Sequence, residues 1–220
     1  FVTRGPGATN GAVGVHTAFQ DSTPLVAFVG QVGNDFVERE AFQEIDYRRM
    51  YGPMTKWVAQ IDRTERIPEY VSHAFHTAMS GRPGPVLLAL PEDMLFAQAA
   101  VADVPHYKTV CPAPSPADMR ELQKMLQAAE RPFVVIGGGG WDRASCEALR
   151  AWLEQSQLAA GTSFRCQDLL DGRSASFAGD VGIGINPKLA QRVREADVVL
   201  VVGARLGEMT TGGYTLFQAP

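Results

Sequence analysis

The chain has 220 residues, 45% of them hydrophobic and 20% charged, with a formal net charge of -4. That length builds one large domain or two modest ones, each able to bury a proper core, and the composition is that of a globular chain. The slightly acidic balance gives no electrostatic reason to expect nucleic acid or an acidic membrane surface as partner, and the longest apolar runs, such as DVVLVVGA, are too short to span a bilayer.

In chain order, Phe1-Val2-Thr3 running into Arg4-Gly5-Pro6-Gly7 reads as a strand end entering a tight turn. A domain rarely begins on the end of a strand, so the expectation is a piece cut from a longer polypeptide. Gly5 and Gly7 permit backbone angles that side chains forbid, and Pro6 stiffens the turn. The next helix is expected over residues 8–20, with Thr9 or Asn10 as its cap. Free amides at such a helix start hold an anion or the polar edge of a ring. Further helices are expected over 67–80, 116–129, 143–157 and 187–195. Strands are expected over 25–29, 57–61, 86–90, 133–136, 158–162 and 198–202. The strand runs are almost uniformly apolar, as for parallel strands covered on both faces, and their alternation with helices implies α/β architecture. The fold class is therefore two doubly wound parallel-sheet (Rossmann-like) domains, the first incomplete and the completeness of the second left open.

The stretch 103–118, DVPHYKTVCPAPSPAD, holds four prolines and breaks the rhythm. It divides the chain into a domain over 1–100, a linker over 101–116 and a domain over 117–220. Ser115-Pro116 then reads as an N-cap followed by the first helical residue. Cys111, Cys146 and Cys166 form no C-x-x-C pair and read as reduced thiols of a cytoplasmic protein. His73 and His76, with Glu69 one turn earlier, read as a solvated helix face, since a metal needs a third convergent ligand. The charged run over 37–49 reads as surface.

After the fourth strand comes GGGG, with Gly137 and Gly139 satisfying G-x-G but Asp142 where a third glycine belongs. The next strand ends at Thr162-Ser163 without an acidic residue to hold a ribose diol, so NAD is not expected. Gly137, Gly138 and Gly139 pack structurally or touch another nucleotide. Gly203 and Arg205 follow the last strand, at the strand ends where open parallel sheets gather ligands, and Arg205 there meets a phosphate or pairs with a surface carboxylate. No G-x-S-x-G elbow or P-loop is present.

TRGPGATNGAVGVHTAFQDSTPLVAFVGQV, then EAFQE, TKW and GRPGPVLLALPEDM, stand in the order and spacing of acetolactate synthase-type, thiamine-diphosphate-dependent enzymes, a resemblance covering residues 1 to about 95. RPFVVIGGGG and ADVVLVVGARL resemble the central domain of the same enzymes. The resemblance implies a thiamine diphosphate and magnesium cofactor lying between two subunits of a homo-oligomer, dimer or tetramer, in which the cofactor serves as the electron sink for decarboxylating a 2-oxo acid. It places Gly5, Pro6, Gly7 and Asn10 on the pyrimidine side of the cofactor. Phe42 and Gln43 fall at the active-site entrance, and Lys56 on the substrate channel. It also puts the activating glutamate before Phe1 and the metal-diphosphate motif after Pro220, so the chain by itself is expected not to turn over; AGDVG around Asp180 is not that motif.

The departures are specific. FAGDVGIGINP and GEMTTGGY replace the stretches that face flavin in relatives, which weighs against FAD, and VGNDFVEREA lacks the usual Pro-Arg-Arg, which leaves the substrate open. The leading expectation is a pyruvate-to-2-acetolactate enzyme of branched-chain amino-acid biosynthesis. The alternatives are a relative acting on glyoxylate or oxalyl-CoA, and a non-catalytic nucleotide-binding or assembly fragment.

Overall fold

The structure, a computed structural model, describes residues 1–217; residues 218–220, the end of the second expected domain, lie outside the described residues. The chain divides into two compact units, Phe1–Pro112 and Ala113–Pro220, a division that falls inside the proline-rich stretch.

The first unit runs α1 (Pro6–Asp21), β1 (Leu25–Gln31), α2 (Tyr47–Tyr51), β2 (Trp57–Gln60), α3 (Ile67–Met79), β3 (Pro85–Pro91) and α4 (Glu92–Phe96). Its three strands are parallel in the order β1-β3-β2. Alternation along β3 explains why this run is apolar at every position. Leu87 and Ala89 face a cluster with Ala8, Val15, Tyr47 and Tyr51, whereas Val86 and Leu88 face Ile61, Ala74 and Ala78 on the other side. Val2 bridges Val29 in parallel, its N–H donating to Phe28 O at 3.0 Å and its carbonyl accepting from Gly30 N at 3.1 Å. The chain therefore turns into α1 at the carboxyl end of the sheet.

The helix starts earlier than its sequence suggests. Pro6 is already its first residue, and Gly5 stands at the N-cap with φ 57° and no side-chain cap. Neither Thr9 nor Asn10 caps it, which corrects the expectation. Both lie inside the helix, and the Thr9 hydroxyl donates back to the carbonyls of Gly5 and Pro6 at 3.3 and 3.0 Å.

The second unit runs α5 (Pro116–Ala128), β4 (Pro132–Ile136), α6 (Arg143–Gln155), β5 (Ala159–Ser163), β6 (Phe177–Val181), α7 (Pro187–Arg194) and β7 (Val198–Val202), with parallel strands in the order β6-β5-β4-β7. Ser115 begins α5 with a capping box: its Oγ accepts from Asp118 N at 3.1 Å, and the Asp118 carboxylate accepts from Ser115 N at 3.2 Å. From β4 the chain steps outward through β5 to β6, then crosses to the other side of β4 as β7. The strand order reverses between β4 and β7, which is where open α/β sheets form a ligand crevice. Strand β6 was not expected; it is a half-buried edge strand broken by Gly179 at φ 120°.

Gly138 lies at φ 75°, and a Cβ on it would fall 2.1 Å from the carbonyl oxygen of Gly203; Gly203 in turn lies at φ 71° with Gly137 O 2.4 Å from its own missing Cβ. The loops after β4 and β7 thus meet backbone to backbone. Among the described residues no helix is long and apolar enough to cross a membrane.

Gly138→Ala is expected to destabilise the second unit by roughly 2–5 kcal/mol, combining left-handed strain with a clash the Gly203 carbonyl cannot relieve. Chemical denaturation measures it, and a loss within error of zero contradicts the backbone contact.

Candidate active site

At the carboxyl edge of the first sheet, the turn before α1 meets the loop between β1 and α2. A Cβ on Gly5 would lie 2.6 Å from Gln43 Cβ and 3.0 Å from Gln43 O, so the turn and the AFQE stretch are in van der Waals contact through a missing side chain. Gln43 itself sits at φ 68°, and Glu38 and Glu40 in the same loop lie at 63° and 55°. Phe42 projects outward with 79% of its surface exposed, which excludes a core role for it. Among the described residues the Gln43 carboxamide forms no hydrogen bond, leaving its donor and acceptor for a ligand.

The two pieces are held by groups the sequence reading passed over. Tyr47, 3% exposed, receives the Gly5 N–H on its hydroxyl oxygen at 3.1 Å and donates to Gly30 O at 3.0 Å. Tyr51 lies one helical turn on and donates to Ala8 O. Gln31 closes the remaining side: its amide donates to Ile45 O at 2.8 Å and its oxygen accepts from Val32 N at 3.0 Å. Within the loop, the Glu44 carboxylate accepts from Glu38 N at 2.8 Å and Ala41 N at 3.3 Å. Arg4, beside the turn, pairs with Glu92 at 2.9 Å. Burial pushes both tyrosine hydroxyls above their ordinary value; for Tyr47 the Gly5 amide and the Arg4 guanidinium pull partly the other way. The one available clue was the spacing, since Tyr47 and Tyr51 share a helix face at i and i+4, but Arg48, Arg49 and Asp46 around them gave the run the look of surface. Beneath the loop, a cavity of about 430 Å³ is lined by Gln31, Glu38, Glu44, Asp46, Tyr47 and Gln60 among others.

The sequence-derived residues divide accordingly. Gly5, with Pro6 and Gly7 following it in the chain, meets Gln43, and Phe42 precedes Gln43 in the same loop. Asn10 stands further along α1 with an exposed side chain. Lys56 does not join them at this edge. Its backbone N–H donates to Pro85 O at 2.7 Å, at the amino end of β3, so a seven-residue strand, ~20 Å at about 3.3 Å per residue, separates it from the Gly5 edge. Its ammonium instead donates to the carbonyls of Thr77 and Ser80 at the end of α3, where a cation satisfies unpaired carbonyls. Burial lowers its pKa. His73 packs on Trp57 with ring centres 4.1 Å apart, and Glu69 is held by Arg66; among the described residues no group of three or more metal-ligating side chains converges.

In the second unit, Gly137, Gly138 and Gly203 form the backbone contact at the β4–β7 reversal, with Trp141 Nε1 donating to Gly137 O at 2.9 Å. Gly139 faces open space, and Arg205 is exposed with no carboxylate in ion-pair range among the described residues. An acidic group does lie near the end of β5, supplied by the neighbouring strand: Asp180 accepts from the buried Thr162 hydroxyl at 2.6 Å. The Arg205 guanidinium lies by Gly207, and an exposed guanidinium near strand ends is the kind of group that meets a phosphate. The first-unit site suits the polar edge and apolar face of a ring, through Gln43, the first amides of α1 and Phe42.

Residues 119–220 match the family described as thiamine pyrophosphate enzyme, central domain, and residues 1–50 match thiamine pyrophosphate enzyme, N-terminal TPP binding domain. Among curated relatives, the probable acetolactate synthase large subunit of Methanocaldococcus jannaschii is 33% identical over 98% of this chain and 38% of its own length. The acetolactate synthase isozyme 2 large subunit of Escherichia coli is 32% identical over 99% of this chain and 40% of its own. The acetolactate synthase large subunit of Corynebacterium glutamicum is 30% identical over 99% and 35%. The chain therefore spans well under half the length of these relatives.

The buried tyrosines set an alkaline limit. Their unfolded value is 10.0 and their folded values are higher, so their contribution to stability is full below pH 10.0 and is lost as pH rises through the folded values. Melting temperature is expected to fall in that range and to fall less steeply in Tyr47→Phe and Tyr51→Phe; an unchanged alkaline slope in the double variant contradicts it.

Proposed function

We propose that this chain, which belongs to the thiamine pyrophosphate enzyme family, supplies the pyrimidine side of a thiamine diphosphate site and the central domain of a 2-oxo-acid decarboxylase or carboligase of the acetolactate synthase type. The observation that carries the reading is the contact of Gly5 with Gln43, which sets the turn, the start of α1 and the exposed Phe42 around one edge of the sheet. The thiamine cofactor supplies the electron sink for releasing carbon dioxide from the oxo acid. The chain's own groups orient and dry that site. Gln43 and the first amides of α1 hold the polar edge of the pyrimidine, and Phe42 gives an apolar wall to the acyl group.

The substrate is a small 2-oxo acid, pyruvate in the leading reading, and the reaction places the enzyme among transferases or lyases of branched-chain amino-acid biosynthesis. The metal is magnesium, held with the diphosphate outside the described residues. A cofactor shared between subunits calls for a homo-oligomer, and the cytoplasm is the compartment proposed for it. In the second unit Gly139 and Arg205 take a nucleotide phosphate, and the departures at residues 177–187 and 207–214 favour a nucleotide other than FAD. The curated large subunits carry the name acetolactate synthase, which favours pyruvate over glyoxylate or oxalyl-CoA.

In an NMR titration with thiamine diphosphate, shift changes are expected to gather at residues 5–10 and 41–43. Gln43→Ala is expected to weaken binding about tenfold, ~1.4 kcal/mol. Changes confined to Gly137–Gly139 and Arg205 instead sink the reading in favour of a nucleotide-binding module. Supplied with thiamine diphosphate, magnesium and pyruvate, the chain alone is expected to release no carbon dioxide; measurable release overturns that part.

A further inference from the structure

We infer that Tyr47 is the positioning residue of the candidate active site: its hydroxyl latches the loop over residues 38–46 to the Gly5 turn and so fixes where Phe42 and Gln43 stand. The inference deepens the reading above, since it concerns the same edge of the first unit.

The loop is not held by its own preferences. Glu38, Glu40 and Gln43 all adopt left-handed backbone angles that side chains disfavour, at φ 63°, 55° and 68°. Conformations of this kind persist only where surroundings over-determine them. The internal bonds of Glu44 to Glu38 N and Ala41 N give the loop a shape but tie it to nothing else. Gln31 holds only its far end, at Ile45. Beside the van der Waals contact of Gly5 with Gln43, the hydrogen-bonded link to the α1 turn runs, among the described residues, through one oxygen atom. Tyr47 Oη accepts from Gly5 N and donates to Gly30 O, so a single phenol joins the first residue before α1 to the end of β1, from inside the helix that closes the loop.

Gly5 faces this phenol with its N–H and Gln43 with the space where its side chain would be. Loss of the hydroxyl leaves a buried donor and a carbonyl of Gly30 without their partner, which favours opening of the turn away from the loop. Tyr51 makes the control. It has the same ring, neighbours the same cluster and is 1% exposed, but its hydroxyl donates to Ala8 O inside α1 and touches neither the turn nor the loop.

Amide hydrogen exchange without cofactor tests the latch, so its outcome is independent of whether thiamine diphosphate binds. The reporters are the amides of Gly5, Glu38, Ala41 and Glu44, each hydrogen-bonded at this edge. In Tyr47→Phe these four are expected to exchange at least tenfold faster than any change shared by the β1 and β3 amides. In Tyr51→Phe they are expected to move only with those strands. Equal behaviour of the two variants, with loop and sheet amides shifting together, makes Tyr47 a packing residue and overturns the inference. Should Tyr47→Phe fail to fold, exchange of the unaltered chain across denaturant concentrations decides. Joint opening of the four reporters below the global transition supports the latch, and independent opening, or opening only with the sheet, refutes it.

Discussion

The contact between the Gly5 backbone and the Gln43 side chain leaves no volume for a Cβ at residue 5, and the placement of the turn, the start of α1 and the loop above them follows from it. Gly5 adopts φ 57° and ψ −107°, a region open to glycine and closed to residues with side chains. The turn can then run flat against the loop while the Tyr47 hydroxyl satisfies the amide that this geometry buries. Below that contact, the alternation of β3 gives each face of the sheet its own helical cover, with α1 and α2 on one side and α3 on the other.

The second unit meets the same problem differently. Its two glycine loops approach each other where the strand order reverses, and no side chain lies between them. In the first unit glycine admits a neighbouring side chain; in the second it admits another backbone. Each arrangement gathers polar backbone at the carboxyl ends of parallel strands, where helix starts and strand ends leave amides free. This shared physics makes both edges candidates for ligands.

Much of the fold was legible because its central strands β3, β4 and β5 are mostly buried and its long helices carry a repeating apolar stripe. The cores of β1, β3, β4 and β7 are uninterrupted apolar runs, and Ser115-Pro116 announced α5 through its capping chemistry. The elements that escaped lack those signals. Helices α2 and α4 have five residues each, too few to display a period, and β6 is an edge strand interrupted by a glycine. At the candidate site, the Gly5 turn and the AFQE stretch could be named, but their contact is a tertiary fact that no local pattern encodes. The surroundings of Lys56 are a tertiary fact of the same kind, set by where α3 ends relative to the start of β2. Tyr47 was hidden by the charged residues beside it.

Three left-handed side-chain residues within one short loop hold a reservoir of free energy, about 1–3 kcal/mol at each position. Such strain persists only while the surroundings hold it, and the Glu44 carboxylate and the Tyr47 hydroxyl are groups that do so here. The geometry around Phe42 is therefore lent to the segment by its neighbours and is not an intrinsic preference of its backbone. A change in those neighbours, even one distant in sequence, would then reshape the edge without altering a residue of the loop itself.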